Sequence, residues 1–143
     1  MTWPVGGEAH LTRIMIADDD PSLRMLVAAT LASEDYEILE AGSGLEALAV
    51  ARSARPKVVL LDFHMPEMDG FEVCRSLRTD PALALIRVIL LTSANHPEER
   101  AAGLAAGADA YLTKPFSPIE LLQAVGALSQ LPSTRPAPRP GAL

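Results

Sequence analysis

The sequence predicts an α/β fold, a doubly wound five-stranded parallel sheet with helices on both faces. Three observations predict it. Short apolar runs of strand length recur along the chain, and helical patterns separate them. Turn and capping residues fall between the two kinds of segment. Four of the apolar runs also end in polar groups: residues 13–17 run into Asp18-Asp19, 57–61 into Asp62, 87–91 into Thr92, and 108–113 into Lys114. In an open α/β sheet, ligands bind in the crevice at the carboxyl ends of the strands, so these four distant segments aim at one place.

Taken in order, residues 1–12 are short and Gly/Pro-bearing and read as a loose leader. The first strand is expected at 13–17. Asp20 as cap and Pro21 at a first helical position open a helix over 21–33. The second strand, 36–41, mixes polar and apolar residues and is expected at a half-exposed sheet edge. Gly42 turns the chain into a helix over 44–54, where Leu45, Leu48 and Ala49 are expected to form one packed stripe. The third strand, 57–61, is the most apolar and is expected at the centre. A helix over 69–78 follows, with Cys74 beside Val73 and Leu77 as a small buried hydrophobe. The fourth strand, 86–91, leads to a helix over 97–106, and Gly107 separates that helix from the fifth strand at 108–113. Ser117 and Pro118 open the last helix, 117–129. The folded body thus spans 13–130 as one domain. Residues 131–143 form a proline-rich tail, expected to be extended or disordered.

Composition narrows the function. The net charge is −6 and no Lys/Arg cluster stands out, which argues against a nucleic-acid-binding face. The single cysteine excludes an internal disulfide and a multi-thiolate metal site. No apolar run approaches the roughly 20 residues that span a bilayer, and the first residues lack the pattern of a signal peptide. The expected setting is therefore cytoplasmic, with no direct nucleic-acid or membrane partner.

The strand ends carry the chemistry. Two carboxylates about 4 Å apart repel by roughly 4 kcal/mol at an effective dielectric near 20. Asp18, Asp19 and Asp62 therefore require a cation or a shifted pKa. Lys114 supplies one positive charge, and a hard divalent ion suits the remaining oxygen-only donors, with Mg²⁺ the expected species. A carboxylate such as Asp62 can act as a nucleophile and form an aspartyl-phosphate. Phosphoryl transfer then needs positioning and charge neutralisation, for which Lys114 and the Thr92 hydroxyl are suitable groups. Each residue taken singly has a plainer reading as a turn residue, a strand-end β-branched residue or a solvated lysine. Their recurrence at successive strand ends argues for a shared site.

Four segments carry a resemblance: residues 14–20 with Asp18-Asp19-Asp20, residues 58–70 with Asp62-Phe63-His64-Met65-Pro66-Glu67-Met68-Asp69-Gly70, residues 89–93 with Thr92-Ser93, and Lys114-Pro115-Phe116. Together they resemble the receiver domain of two-component response regulators, in a stand-alone form like the chemotaxis regulators, over about residues 13–130. The resemblance implies a flavodoxin-like strand order, 2-1-3-4-5. It implies that Asp62 is the phosphoacceptor, fed by a phosphohistidine on a sensor histidine kinase or a histidine phosphotransfer protein. Asp18 and Asp19 would hold Mg²⁺, with Asp19 the direct ligand and the His64 backbone carbonyl and Asp62 completing the protein donors. Thr92 would be the switch hydroxyl and Tyr111 the switch aromatic, turning inward as the hydroxyl moves. Lys114 would contact the phosphate, with a cis bond to Pro115. The His64 side chain and Ala94 would stand at the mouth of the site.

Phosphorylation adds about one to two negative charges and three acceptor oxygens, which bias a two-state equilibrium by binding Thr92 and Lys114 differently. The element biased is the face of the fourth helix, fifth strand and fifth helix. Its fourth helix is rich in small residues and is expected to move most. A downstream protein target would read that face, with the chain a monomer or a weak phosphorylation-dependent dimer. The implied activity is confined to the chain's own phosphorylation and dephosphorylation, so it is not an enzyme in the ordinary sense. An intermediate in a phosphorelay is the alternative role. A phosphatase with an aspartyl-phosphate intermediate would want Asp-x-Asp after the first strand, and position 64 here is His. A flavodoxin-like cofactor binder would want a Ser/Thr/Gly-rich phosphate loop, where Asp18-Asp19-Asp20 would repel phosphate.

Overall fold

The computed structural model describes residues 11–32 and 35–132. Five strands, β1 (Thr12–Ala17), β2 (Tyr36–Ala41), β3 (Val58–Asp62), β4 (Arg87–Ser93) and β5 (Ala110–Lys114), alternate with five helices. The helices are α1 (Pro21–Leu31), α2 (Gly44–Ala54), α3 (Gly70–Thr79), α4 (Pro97–Ala105) and α5 (Pro118–Ser129). All strand pairs are parallel, in the order β2-β1-β3-β4-β5. This is the expected doubly wound order. β3 lies at the centre and is buried at every residue, whereas β2 is a half-exposed edge.

The period-2 alternation of the strands divides the core in two. Met15, Val59, Leu61, Val88 and Leu90 pack under α2 and α3, with Ala47, Leu48, Ala51, Val73, Cys74 and Leu77. Ile14, Ile16, Val58, Leu60, Ile89 and Leu91 pack under α1 and α5, with Val27, Leu31, Leu121 and Val125. Because both faces are covered, the inner strands read as unbroken apolar runs. Cys74 is fully buried, as expected.

Local chemistry sets the helix starts. Asp20 accepts from the amides of Ser22 and Leu23, with Pro21 at the first helical position. Asp69 with Glu72 and Ser117 with Glu120 form reciprocal capping boxes. These caps explain why α3 and α5 begin one residue later than the sequence pattern suggests: residues 69 and 117 are caps, not helical turns. β5 likewise begins at Ala110 rather than 108, and β4 runs on through Thr92 and Ser93. The stripe expected on α2 is corrected. Leu45 and Ala49 are exposed, and the packed face is Gly44, Ala47, Leu48 and Ala51. At the start of that face α2 lies close to the β3–α3 loop: a Cβ on Gly44 would lie 2.2 Å from the Met68 carbonyl oxygen.

Of the leader expected over 1–12, Thr12 belongs to β1 and residues 1–10 lie outside the described residues, as does the tail beyond 132. The tail's first proline is tied down, since the Pro132 carbonyl accepts from Arg87 Nη2 at 3.1 Å. Among the described residues no helix is long and apolar enough to cross a membrane.

Candidate functional site

The β1–α1 loop divides its three acidic residues between two tasks. Asp20 turns its carboxylate to the α1 amides and serves as the cap. Asp18 is fully buried. Its amide donates to the Ala41 carbonyl at 3.0 Å, tying the loop to the end of β2. Its Oδ1 accepts the Asp20 amide at 2.9 Å, and its Oδ2 accepts Lys114 Nζ at 2.8 Å. Arg24 of α1 braces the loop from behind, donating to the Asp18 carbonyl at 2.7 Å while pairing with Glu40 at 3.1 Å. Asp19 beside them is exposed.

Asp62 ends β3 with 5% exposure. The chain can leave β3 as it does because residue 70 is glycine: a Cβ there would stand 2.5 Å from the Asp62 carbonyl oxygen. Lys114 Nζ reaches Asp62 Oδ1 at 3.2 Å, so one ammonium bridges Asp18 and Asp62. One carboxylate oxygen from each of Asp18, Asp19 and Asp62 lies within 4.8 Å of the others. Burial, reinforced by the Asp18 charge, pushes the Asp62 carboxyl up to about 6, although Lys114 and the His64 backbone amide oppose the shift. Burial by itself would lower the Lys114 ammonium, but its hydrogen bond to Asp18 and the two carboxylate charges outweigh that and raise it. Three carboxylates against one ammonium leave an excess of negative charge. The donors are all oxygens, so the set fits a hard divalent cation.

Thr92 stands in β4 one residue beyond Leu91, the register partner of Asp62. Its side chain is 1% exposed, and among the described residues its Oγ1 has no hydrogen-bond partner. A buried hydroxyl without a partner is uncommon and calls for an explanation. Lys114 is in register with Ser93 on the far side of β4, and its peptide bond to Pro115 is cis. Tyr111 is 41% exposed and points away from the sheet core, with the Arg100 guanidinium 5.1 Å above its ring. The His64 side chain is exposed at the rim and meets Glu99 Oε2 of α4. Its ring lies edge-on to Phe63 and to His96. Ala94 is exposed on the same side.

A family model described as the response regulator receiver domain matches residues 14–126. The chain belongs to the receiver domain family. Receiver domains are signalling modules rather than classical enzymes. Similar full-length proteins include the DNA-binding dual master transcriptional regulator RpaA of Synechocystis, 40% identical over 82% of this chain and 49% of that protein. The probable transcriptional regulatory protein TcrX of Mycobacterium tuberculosis is 43% identical over 80% of this chain and 48% of its own length. The chain therefore spans about half the length of the curated relatives it matches. Among solved structures, the chemotaxis response regulator CheY4 of Vibrio cholerae superposes with a TM-score of 0.78 at 35% identity, over 83% of this chain and 99% of that one. The receiver domain of the sensor histidine kinase PA1611 of Pseudomonas aeruginosa, solved with a magnesium ion in its active-site cleft, superposes at 0.77 with 27% identity over 84% of this chain and 98% of that one.

The receiver fold thus gathers Asp18, Asp19, Asp62, Thr92 and Lys114 at one rim and sets Tyr111 on the neighbouring face. Sequence reasoning missed Glu99 and Arg24. Acidic residues in a first helical turn ordinarily complement the helix dipole from solvent, so no local signal marked Glu99 as buried. Arg24 reads as one charged position on an amphipathic helix.

Proposed function

We propose that Asp62 is the phosphoacceptor of this receiver domain. The single observation that carries the reading is the placement of its buried carboxylate, raised to about 6, between Lys114 and the acidic pair. The donor is a phosphohistidine on a sensor histidine kinase or phosphotransfer protein. Asp62 Oδ attacks phosphorus, the new P–O bond forms as the P–N bond breaks, and the electron pair returns to the imidazole nitrogen. Asp18, Asp19, Asp62 and the His64 backbone carbonyl would hold Mg²⁺, which when bound offsets charge on the phosphoryl oxygens. Of the acidic pair Asp19 is the better direct ligand, because both oxygens of Asp18 already accept protein hydrogen bonds. Lys114 exchanges part of its contact with Asp62 for a phosphoryl oxygen. Thr92 gives its unpartnered hydroxyl to another.

This exchange biases the surface formed by α4, β5 and α5. Its exposed Leu104, Tyr111 and Ile119 offer apolar area to a partner protein, and Tyr111 turns inward when Thr92 moves. The reading places the protein in the cytoplasm with its phosphodonor. The test is incubation with acetyl phosphate and Mg²⁺, followed by intact-mass spectrometry. Wild type is expected to gain one phosphate and Asp62→Asn none. Uptake of one phosphate by Asp62→Asn would remove Asp62 from the role.

A further inference from the structure

We propose that His64 and Glu99 form a latch that holds α4 down in the unphosphorylated protein, and that the phosphoryl group opens it by taking the His64 donor. The inference rests on the phosphoacceptor reading above and names the regulation of that site. Three observations meet at this pair. His64 lies two residues after Asp62, and its backbone amide is directed at the Asp62 carboxylate, so its side chain springs from the rim where phosphate would sit. That side chain is 64% exposed, yet its Nε2 is engaged by a carboxylate only 7% exposed, from the first turn of α4. The second oxygen of that carboxylate, Glu99 Oε1, is buried without a hydrogen-bond partner among the described residues.

His64 is thus the side chain that satisfies the buried Glu99 carboxylate. Opposite it, His96 pairs with Glu98 instead. In the tautomer that carries a proton on Nε2, His64 donates to Glu99, and that one N–H cannot serve a phosphoryl oxygen as well. When the phosphoryl oxygens take it, Glu99 is left as a buried carboxylate with neither oxygen bonded, a strongly unfavourable state. The first turn of α4 relieves it by lifting until water reaches the carboxylate. The rest of α4 offers modest resistance. It packs on β4 through Gly103 against Leu90, where a Cβ would meet the leucine at 2.1 Å, so small side chains rather than interlocked large ones hold it. Glu99 acts in this scheme as a positioning residue, through His64.

The test is amide hydrogen exchange over residues 97–105 in His64→Ala, Glu99→Gln and wild type, with and without beryllofluoride and Mg²⁺, with thermal melts confirming the fold. Without beryllofluoride, His64→Ala is expected to exchange about tenfold faster over α4 than wild type, the scale of one lost charge-assisted hydrogen bond. His64→Gln, which keeps a donor, should restore protection. In Glu99→Gln there is no buried charge to orphan, so the rise in α4 exchange when beryllofluoride binds should be smaller than in wild type. Wild-type exchange rates over α4 in unliganded His64→Ala, or a full beryllofluoride response in Glu99→Gln, would overturn the latch. The His64→Ala comparison needs no phosphate, and acetyl phosphate uptake is read separately by mass, so failure of the latch and failure of the phosphoacceptor reading are told apart.

Discussion

At the carboxyl rim of the sheet, three carboxylates face one ammonium; at the amino rim, two guanidiniums enclose one carboxylate. Asp109, just before β5, accepts from Arg78 Nη2 at 2.9 Å, Arg87 Nη1 at 3.4 Å and the Val88 amide at 2.8 Å. Arg78 also donates to the carbonyls of Gly107, Ala84 and Ile86. Both rims bury ionisable groups; among the described residues the carboxyl rim leaves an oxygen of Thr92 and one of Glu99 without a hydrogen-bond partner and lifts Asp62 to about 6. The amino-rim network ties α3, β4 and the residue before β5 together. A network short of positive charge and long in unmatched oxygens stores the capacity to bind something.

The largest expected effect tests the carboxyl rim. Asp62→Asn should lose all phosphate uptake from acetyl phosphate and yet be more stable than wild type in EDTA at neutral pH, because a buried excess charge is gone. A lower melting temperature for this variant would break the comparison, since Asp62 would then be holding the fold. Next, Arg78→Ala should destabilise the protein by about 3 kcal/mol in urea titration, since it strips a mostly buried carboxylate of one partner. Below its melting temperature it should still take up one phosphate. Loss of uptake in the folded variant would show that the two rims are not separable.

A smaller effect follows from pH. The folded chain holds the Asp62 proton to about 6 against an ordinary 3.8. The group's contribution to stability is therefore fully present below the lower value and lost as pH rises through the upper one. In EDTA, wild type should lose about 3 kcal/mol relative to Asp62→Asn between acid and neutral pH. Parallel unfolding curves for the two proteins across that range would show that burial does not perturb Asp62. The smallest effect compares one strained residue from each rim. Arg55 at the end of α2 and Glu67 in the β3–α3 loop have φ of 48° and 72°, a region that favours glycine. Arg55→Gly should stabilise by about 0.5 kcal/mol with phosphate uptake unchanged. Glu67→Gly should stabilise similarly but alter the rate of uptake, because its turn, closed by the Met68 amide on the Pro66 carbonyl at 2.7 Å, frames the site. Equal uptake rates for both variants would remove that loop from the reaction.

Much of this was readable from local pattern. Strand runs, proline and Asp or Ser caps, and the polar residue closing each run are effects of a few neighbouring residues, and they placed Asp18, Asp19, Asp62, Thr92 and Lys114 at one rim. Of the expected α2 stripe Leu45, Leu48 and Ala49, only Leu48 is buried, because spacing alone does not say which side of a short apolar helix meets the core. At Gly44 α2 lies close to the β3–α3 loop, and Leu45 is in solvent. Asp109 was read as part of a strand, since nothing near it in sequence signals that Arg78, 31 residues away, will pair with it.

By itself the sequence determined the order of strands and helices, the centrality of β3 and the identity of the groups that end the strands, because hydrophobic period and capping are local. Only the tertiary structure decided how charge is shared. Lys114 meets Asp18 across 96 residues and Asp62 across 52, and Glu99 becomes buried because α4 lies against the loop that carries His64. Burial and pairing between distant segments depend on packing, and packing turned a row of polar strand ends into one site with charge to spare.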